Sequence, residues 1–228
     1  MFLGLDLSSA AFWSAFGSIL LANVVLSGDN AVVIAMAART LKPEQRGKAI
    51  FFGSAAAILM RIVLTIVAIR LLTLPFLKII GAGLLTYIGV DLLMEEADGD
   101  GDGKEVSGMF AAIRTILVAD LVMSLDNVLA VAAAAKGDLP LLTLGLLVSI
   151  PLIVFGASLL TKVMERYPVI ITIGAALLGF LAGEMLLTDP AVVGYLGDIG
   201  ETTVKAAGVA GAVLVVALGN WLQRRRGT

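Results

Sequence analysis

The amino-acid sequence predicts an all-α polytopic membrane protein with seven transmembrane helices, built as two inverted three-helix repeats plus a C-terminal helix. Three observations carry that prediction. Of 228 residues, 59% are hydrophobic and 15% charged, with a mean hydropathy of +1.02; soluble domains run at about 45–50% and 25%. Apolar runs of the roughly 20 residues needed to cross a bilayer core recur seven times. Finally, one polar pattern occurs twice, 97 positions apart, in ANVVLSGDNAVVIAMAA (22–38) and ADLVMSLDNVLAVAAAA (119–135).

The seven runs are 11–37, 49–72, 74–94, 110–135, 140–161, 168–188 and 203–222. The first and fourth carry the duplicated pattern and, at about 26 residues, exceed the crossing minimum. That length leaves room for a tilt or a local break, and Gly28 favours a break in the first copy more than Leu125 does in the second. The third and sixth runs echo each other at an offset of 93, matching Pro75/Pro168, Gly81/Gly174 and Leu85/Leu178. Because each unit has three helices, two consecutive copies must cross the bilayer in opposite directions. The chain therefore reads as a single transmembrane domain over 1–228, with repeat one at 11–94, repeat two at 110–188 and a seventh helix at 203–222.

Between the repeats, residues 95–109 read as an acidic cytoplasmic loop. Asp98, Asp100, Asp102 and Gly103 match half of an EF-hand loop, but Met109 stands where a bidentate glutamate is needed. Lys and Arg in the short loops set the orientation: eleven fall on one side and four on the other, which puts the N-terminus outside and the C-terminus in the cytoplasm. The acidic Asp6 argues against a cleaved signal peptide. The expected location is the plasma (inner) membrane. A net charge of −2 offers no basic surface for nucleic acid.

The absence of cysteine and histidine removes thiolate and imidazole metal ligands and His-based acid–base chemistry. No cofactor loop or nucleophile elbow is present, so neither an enzyme nor an organic cofactor is expected. Five carboxylates nevertheless fall inside the spans: Asp29, Asp91, Asp120, Asp126 and Glu184. Each costs about 2.5–3.5 kcal/mol at a bilayer centre, so they are expected to face a shared interior. Helical spacing places Asn23, Ser27 and Asn30 on one stripe, and Asp120, Ser124 and Asn127 on its counterpart. Asp29 and Asp126 point away from the middle of those stripes unless the helix breaks. Such an oxygen-only donor set suits a hard divalent cation, Mn²⁺, Mg²⁺ or Ca²⁺. Met123, near Asp120 and Asp126, is the thioether that would tilt the choice towards Mn²⁺. Arg61 is the one cation deep within a span, away from its ends, and an ion pair with one of the acids is its structural role. Gly179 and Gly183 form a small-xxx-small pair able to seat a helix within the chain or in a homo-oligomer.

The two motifs, SGDNAVVIAMAA and DLVMSLDNVLAVAAAA, closely resemble the signatures of the TerC family of membrane proteins, related to the LysE-type transporter superfamily. The resemblance spans essentially all seven helices. It implies a fold of two inverted three-helix repeats and activity as a manganese exporter, with Mn²⁺ as transported substrate. Position by position it points to Asp29, Asn30, Asp126 and Asn127 as the core of the ion path, with Asp91, Asp120 and Glu184 as acidic companions; Asn23, Ser27, Ser124 and Met123 surround them. Proton-coupled alternating access is the expected mechanism. The alternatives are a Ca²⁺/cation antiporter, and a non-transporting factor that metallates secreted enzymes alongside the protein-secretion machinery.

Overall fold

The computed structural model describes residues 10–71, 74–94, 105–134, 139–197 and 199–226; some side chains within the helices, those of Asp126 and of residues 128–134 among them, lie outside that description. Among the described residues, all regular structure is helical: α1 (Ala10–Leu26), α2 (Gly28–Arg39), α3 (Pro43–Leu71), α4 (Leu77–Met94), α5 (Glu105–Ala134), α6 (Leu139–Arg166), α7 (Val169–Leu187), α8 (Pro190–Leu196) and α9 (Glu201–Arg226). Six of these, α3, α4, α5, α6, α7 and α9, contain stretches long and apolar enough to cross a membrane.

The first expected span, 11–37, is not one helix but two, α1 and α2, which meet at Ser27. Glycine costs a helix interior about 1 kcal/mol relative to alanine, and Gly28 sits at that junction. Leu125 at the equivalent place carries no such cost, and α5 runs unbroken through Ser124–Asn127. Helices α3, α5 and α6 extend beyond the apolar runs that announce them. Pro43 and Glu44 start α3 in polar sequence, as suits the first turn of a helix, and α6 stops just before Tyr167-Pro168. Since α5 begins at Glu105, the end of the expected 95–109 loop is helical; the half EF-hand lies mostly outside the described residues. The short α8 was not expected. Asp189 caps it by accepting a hydrogen bond from the Ala191 amide, and Pro190 occupies its first position.

Helix packing pairs the two halves of the chain. α3 lies against α5, and α6 lies against α1 and α2; α4 lies against α7, and α9 covers α7 and α4. Two matched glycines set close approaches. A Cβ at Gly81 of α4 would meet Val122 of α5 at 2.8 Å, and one at Gly174 of α7 would meet Val32 of α2 at 2.8 Å. Gly179 and Gly183 seat α9 within the chain: a Cβ there would fall 2.4 Å from the Gly211 carbonyl and 2.1 Å from the Ala207 carbonyl. The core runs along these contacts through Ile116, Leu85, Leu178, Leu146 and Met164. Large apolar side chains also cover the outside, with Phe110 72% and Phe155 71% exposed, as expected of a surface facing hydrocarbon.

Candidate functional site

The break at Ser27 leaves backbone groups without helical partners, and motif residues satisfy them. In an unbroken helix the Asn30 amide would donate to the Leu26 carbonyl. Instead the Asn30 amide donates to Asp29 Oδ1 at 2.8 Å, and the Leu26 carbonyl accepts Asn127 Nδ2 of α5 at 3.1 Å. Asp29, in the first turn of α2, also lies where the helix dipole favours negative charge. Ser27, at the N-cap of α2, makes no capping hydrogen bond with its side chain. Its hydroxyl is drawn elsewhere.

It is drawn to Arg61 of α3, which is 1% exposed. Nη1 of Arg61 donates to Asn23 Oδ1 and Ser27 Oγ, both at 2.8 Å; Nε donates to Ser124 Oγ at 3.0 Å, and Nη2 to Asp120 Oδ1 at 2.5 Å. The Ser124 hydroxyl donates in turn to Asp120 Oδ2 at 3.2 Å. On the far side of Asn23, Nδ2 donates to Ser149 Oγ of α6 at 2.5 Å. Every side chain in this network is buried, and the ion pair keeps both charges satisfied. The guanidinium thus grips Asn23 and Ser27 of the first motif copy, and Asp120 and Ser124 at the same positions of the second.

Asn30 stands apart from this satisfied network. It is 3% exposed, and neither Oδ1 nor Nδ2 has a hydrogen-bond partner among the described residues. An unmade hydrogen bond of this kind costs about 1–3 kcal/mol, so such a group calls for an explanation. Asp29, its neighbour, is half-buried and within electrostatic reach of both Arg61 and Asp120.

The other expected site residues lie differently. Asp126 belongs to unbroken α5, but its side chain lies outside the described residues. Met123 is buried on the same helix. Asp91 is half-buried near the end of α4, and Glu184, on α7, lies within electrostatic reach of Lys205 of α9. Among the described residues no three acids form a group able to hold a metal ion. Among the described residues, then, the expected ligands do not form one such group, and Asp126 lies outside that description. What comes together is Asn23, Ser27, Asp120 and Ser124 around Arg61, with Asp29, Asn30 and Asn127 at the helix break. Arg61 and Ser149 were missing from the expected site; the legible signal for Arg61 was its being the one cation deep within a span.

Comparison with known proteins finds relatives that are membrane proteins. The chain is 43% identical over 194 residues to the uncharacterized membrane protein YjbE of Bacillus subtilis, covering 84% of this chain and 88% of that protein. It is 25% identical over 188 residues to the uncharacterized membrane protein YceF of the same organism, covering 78% and 73%. It is also 25% identical over 189 residues to the inner membrane protein YoaE of Escherichia coli, covering 73% of this chain but 36% of that longer protein. No solved structure matches. The model of the integral membrane protein TerC family matches residues 8–227, nearly the whole chain, and the protein belongs to that family.

Proposed function

We propose that the chain is a secondary transporter that carries a divalent cation, Mn²⁺ before others, out of the cytoplasm. The observation that carries this reading is the helix break. It puts Asp29 within electrostatic reach of the buried Arg61–Asp120 pair and, next in sequence, leaves the Asn30 side chain unpartnered among the described residues, between two helices that share one duplicated motif. Carboxylate and amide carbonyl oxygens are what a hard cation takes, and a bound ion would satisfy Asn30 Oδ1.

Counted together, α1 and α2 make one interrupted span, which with the six continuous ones gives seven. The inverted-repeat reading draws support from the packing: α3 on α5 corresponds to α6 on α1 and α2, α4 pairs with its own counterpart α7, and Gly81 and Gly174 each seat the motif helix of the other half. Discontinuous helices at a repeat interface are where transporters of this plan bind ions. The charge bias of the loops supports an N-terminus outside and a C-terminus in the cytoplasm of the plasma membrane. Outward movement of a divalent ion against 100 mV costs about 4.6 kcal/mol. Proton entry onto Asp29 and Asp126 as the metal leaves supplies that work. No covalent step and no organic cofactor take part.

The test is ion flux through the purified full chain in lipid vesicles loaded with Mn²⁺. Efflux above the protein-free rate, accelerated by an inward proton gradient and slowed less by Ca²⁺ than by Mn²⁺ added to the same side, fits the proposal. Metal binding with efflux at the protein-free rate would make the chain a metal-presenting factor instead.

A further inference from the structure

Arg61 poses a problem for any cation carrier. Its guanidinium already occupies Asp120, an acid of the expected ion path, and is held by matched positions of both motif copies. It is 1% exposed and comes from α3, a different helix from either motif. A cation entering at Asp29 would approach a site where another cation, covalently part of the chain, is seated. The two therefore compete for Asp120. When no ion is bound, the fork of Arg61 is what keeps the Asp120 carboxylate from lying bare in an apolar interior.

We propose that Arg61 is a tethered counter-ion: it neutralises Asp120 while the carrier is empty and yields it when the transported cation binds. The inference rests on the transport reading above. It explains why the guanidinium grips groups from both halves, since a surrogate for the substrate belongs where the halves meet. It also predicts an asymmetry between two kinds of flux. Exchange of metal for metal needs only the loaded carrier to reorient, whereas net efflux requires the empty carrier to return. Only the empty return depends on Arg61.

The experiment compares net Mn²⁺ efflux with Mn²⁺/Mn²⁺ isotope exchange in vesicles containing the full chain. Arg61→Gln is expected to lower the net-to-exchange ratio about a hundredfold, the equivalent of one bare carboxylate added to the return step. Arg61→Lys, which keeps a positive charge, holds the ratio near that of the unaltered protein. The double variant Arg61→Gln/Asp120→Asn, with neither charge, brings the ratio back whatever its absolute rates. Should Arg61→Gln not fold, Asp120→Asn takes its place, leaving Arg61 uncompensated; the ratio falls and the double variant again restores it. A ratio unmoved by every single variant, or not restored in the double, overturns the proposal. Absence of both fluxes in the unaltered protein would instead sink the transport reading itself.

Discussion

Asn30 and Asn127 occupy matched positions in the two motif copies and do opposite work. Asn127 closes the Leu26 carbonyl left open by the helix break, while the Asn30 side chain is enclosed with no partner among the described residues. Asn127→Ala is thus expected to lower stability in detergent by about 1 kcal/mol, the worth of one hydrogen bond. Asn30→Ala should cost the ion-free protein less, yet abolish any rise in melting temperature on adding Mn²⁺. Thermal unfolding with and without the metal checks both. Where α7 ends and α4 begins, Asp189 is fully buried and accepts hydrogen bonds from the amides of Phe76, Lys78, Ile79 and Ala191. Burial works to raise its pKa, but the four amide donors outweigh it and hold the carboxyl below its ordinary value. A carboxyl depressed on folding contributes stability that is present above the unfolded value, about 3.9, and is lost as pH falls through the lower folded one. Asp189→Asn should therefore cost about 2 kcal/mol at pH 7. Its deficit relative to the unaltered protein should stay flat from pH 8 to 5 and shrink below about pH 4, as seen in melting curves across that range.

Glycine placement decides how the elements meet. A methyl group at Gly183 would sit 2.1 Å from the backbone carbonyl of Ala207 in α9, which cannot swing aside as a side chain can; at Gly83 of α4 nothing lies within 4 Å. Gly183→Ala should separate α7 from α9 and cost about 1–3 kcal/mol, whereas Gly83→Ala is neutral or stabilising. Cross-linking of cysteines placed on α7 and α9 would report the separation. Most elements were legible because bilayer crossing demands long apolar runs, and every continuous span lies within a few residues of one. Their ends were less so, because apolarity marks the bilayer and not the helix: α3 begins in Pro43–Lys48, which is polar. Gly28 favoured the break in the first copy, whereas Leu125 made a break in the second less favoured without deciding it. α8 escaped although Asp189-Pro190 is a helix-start signal, since its seven residues form no apolar span.

At the scale of the whole molecule, two halves exchange partners across a shared interior whose one buried cation, among the described residues, is Arg61. The polar stripe of the site was legible as i, i+4 spacing, and Asn23/Ser27 and Asp120/Ser124 do converge. What they converge upon was not, because Arg61 is 38 residues from Asn23 and 59 from Asp120, a distance that helical periodicity within one span does not bridge. Asp91 and Glu184 were grouped with the site on charge cost alone, which says that an acid needs company but not which company. Whether the duplicated Asp-Asn motifs form a path for a divalent cation is read from Mn²⁺ efflux out of loaded vesicles carrying the full chain or its Asp29→Ala/Asp126→Ala variant at equal protein content. Rapid efflux from the former and the protein-free rate from the latter is the expected result; equal efflux from both would rule such a path out.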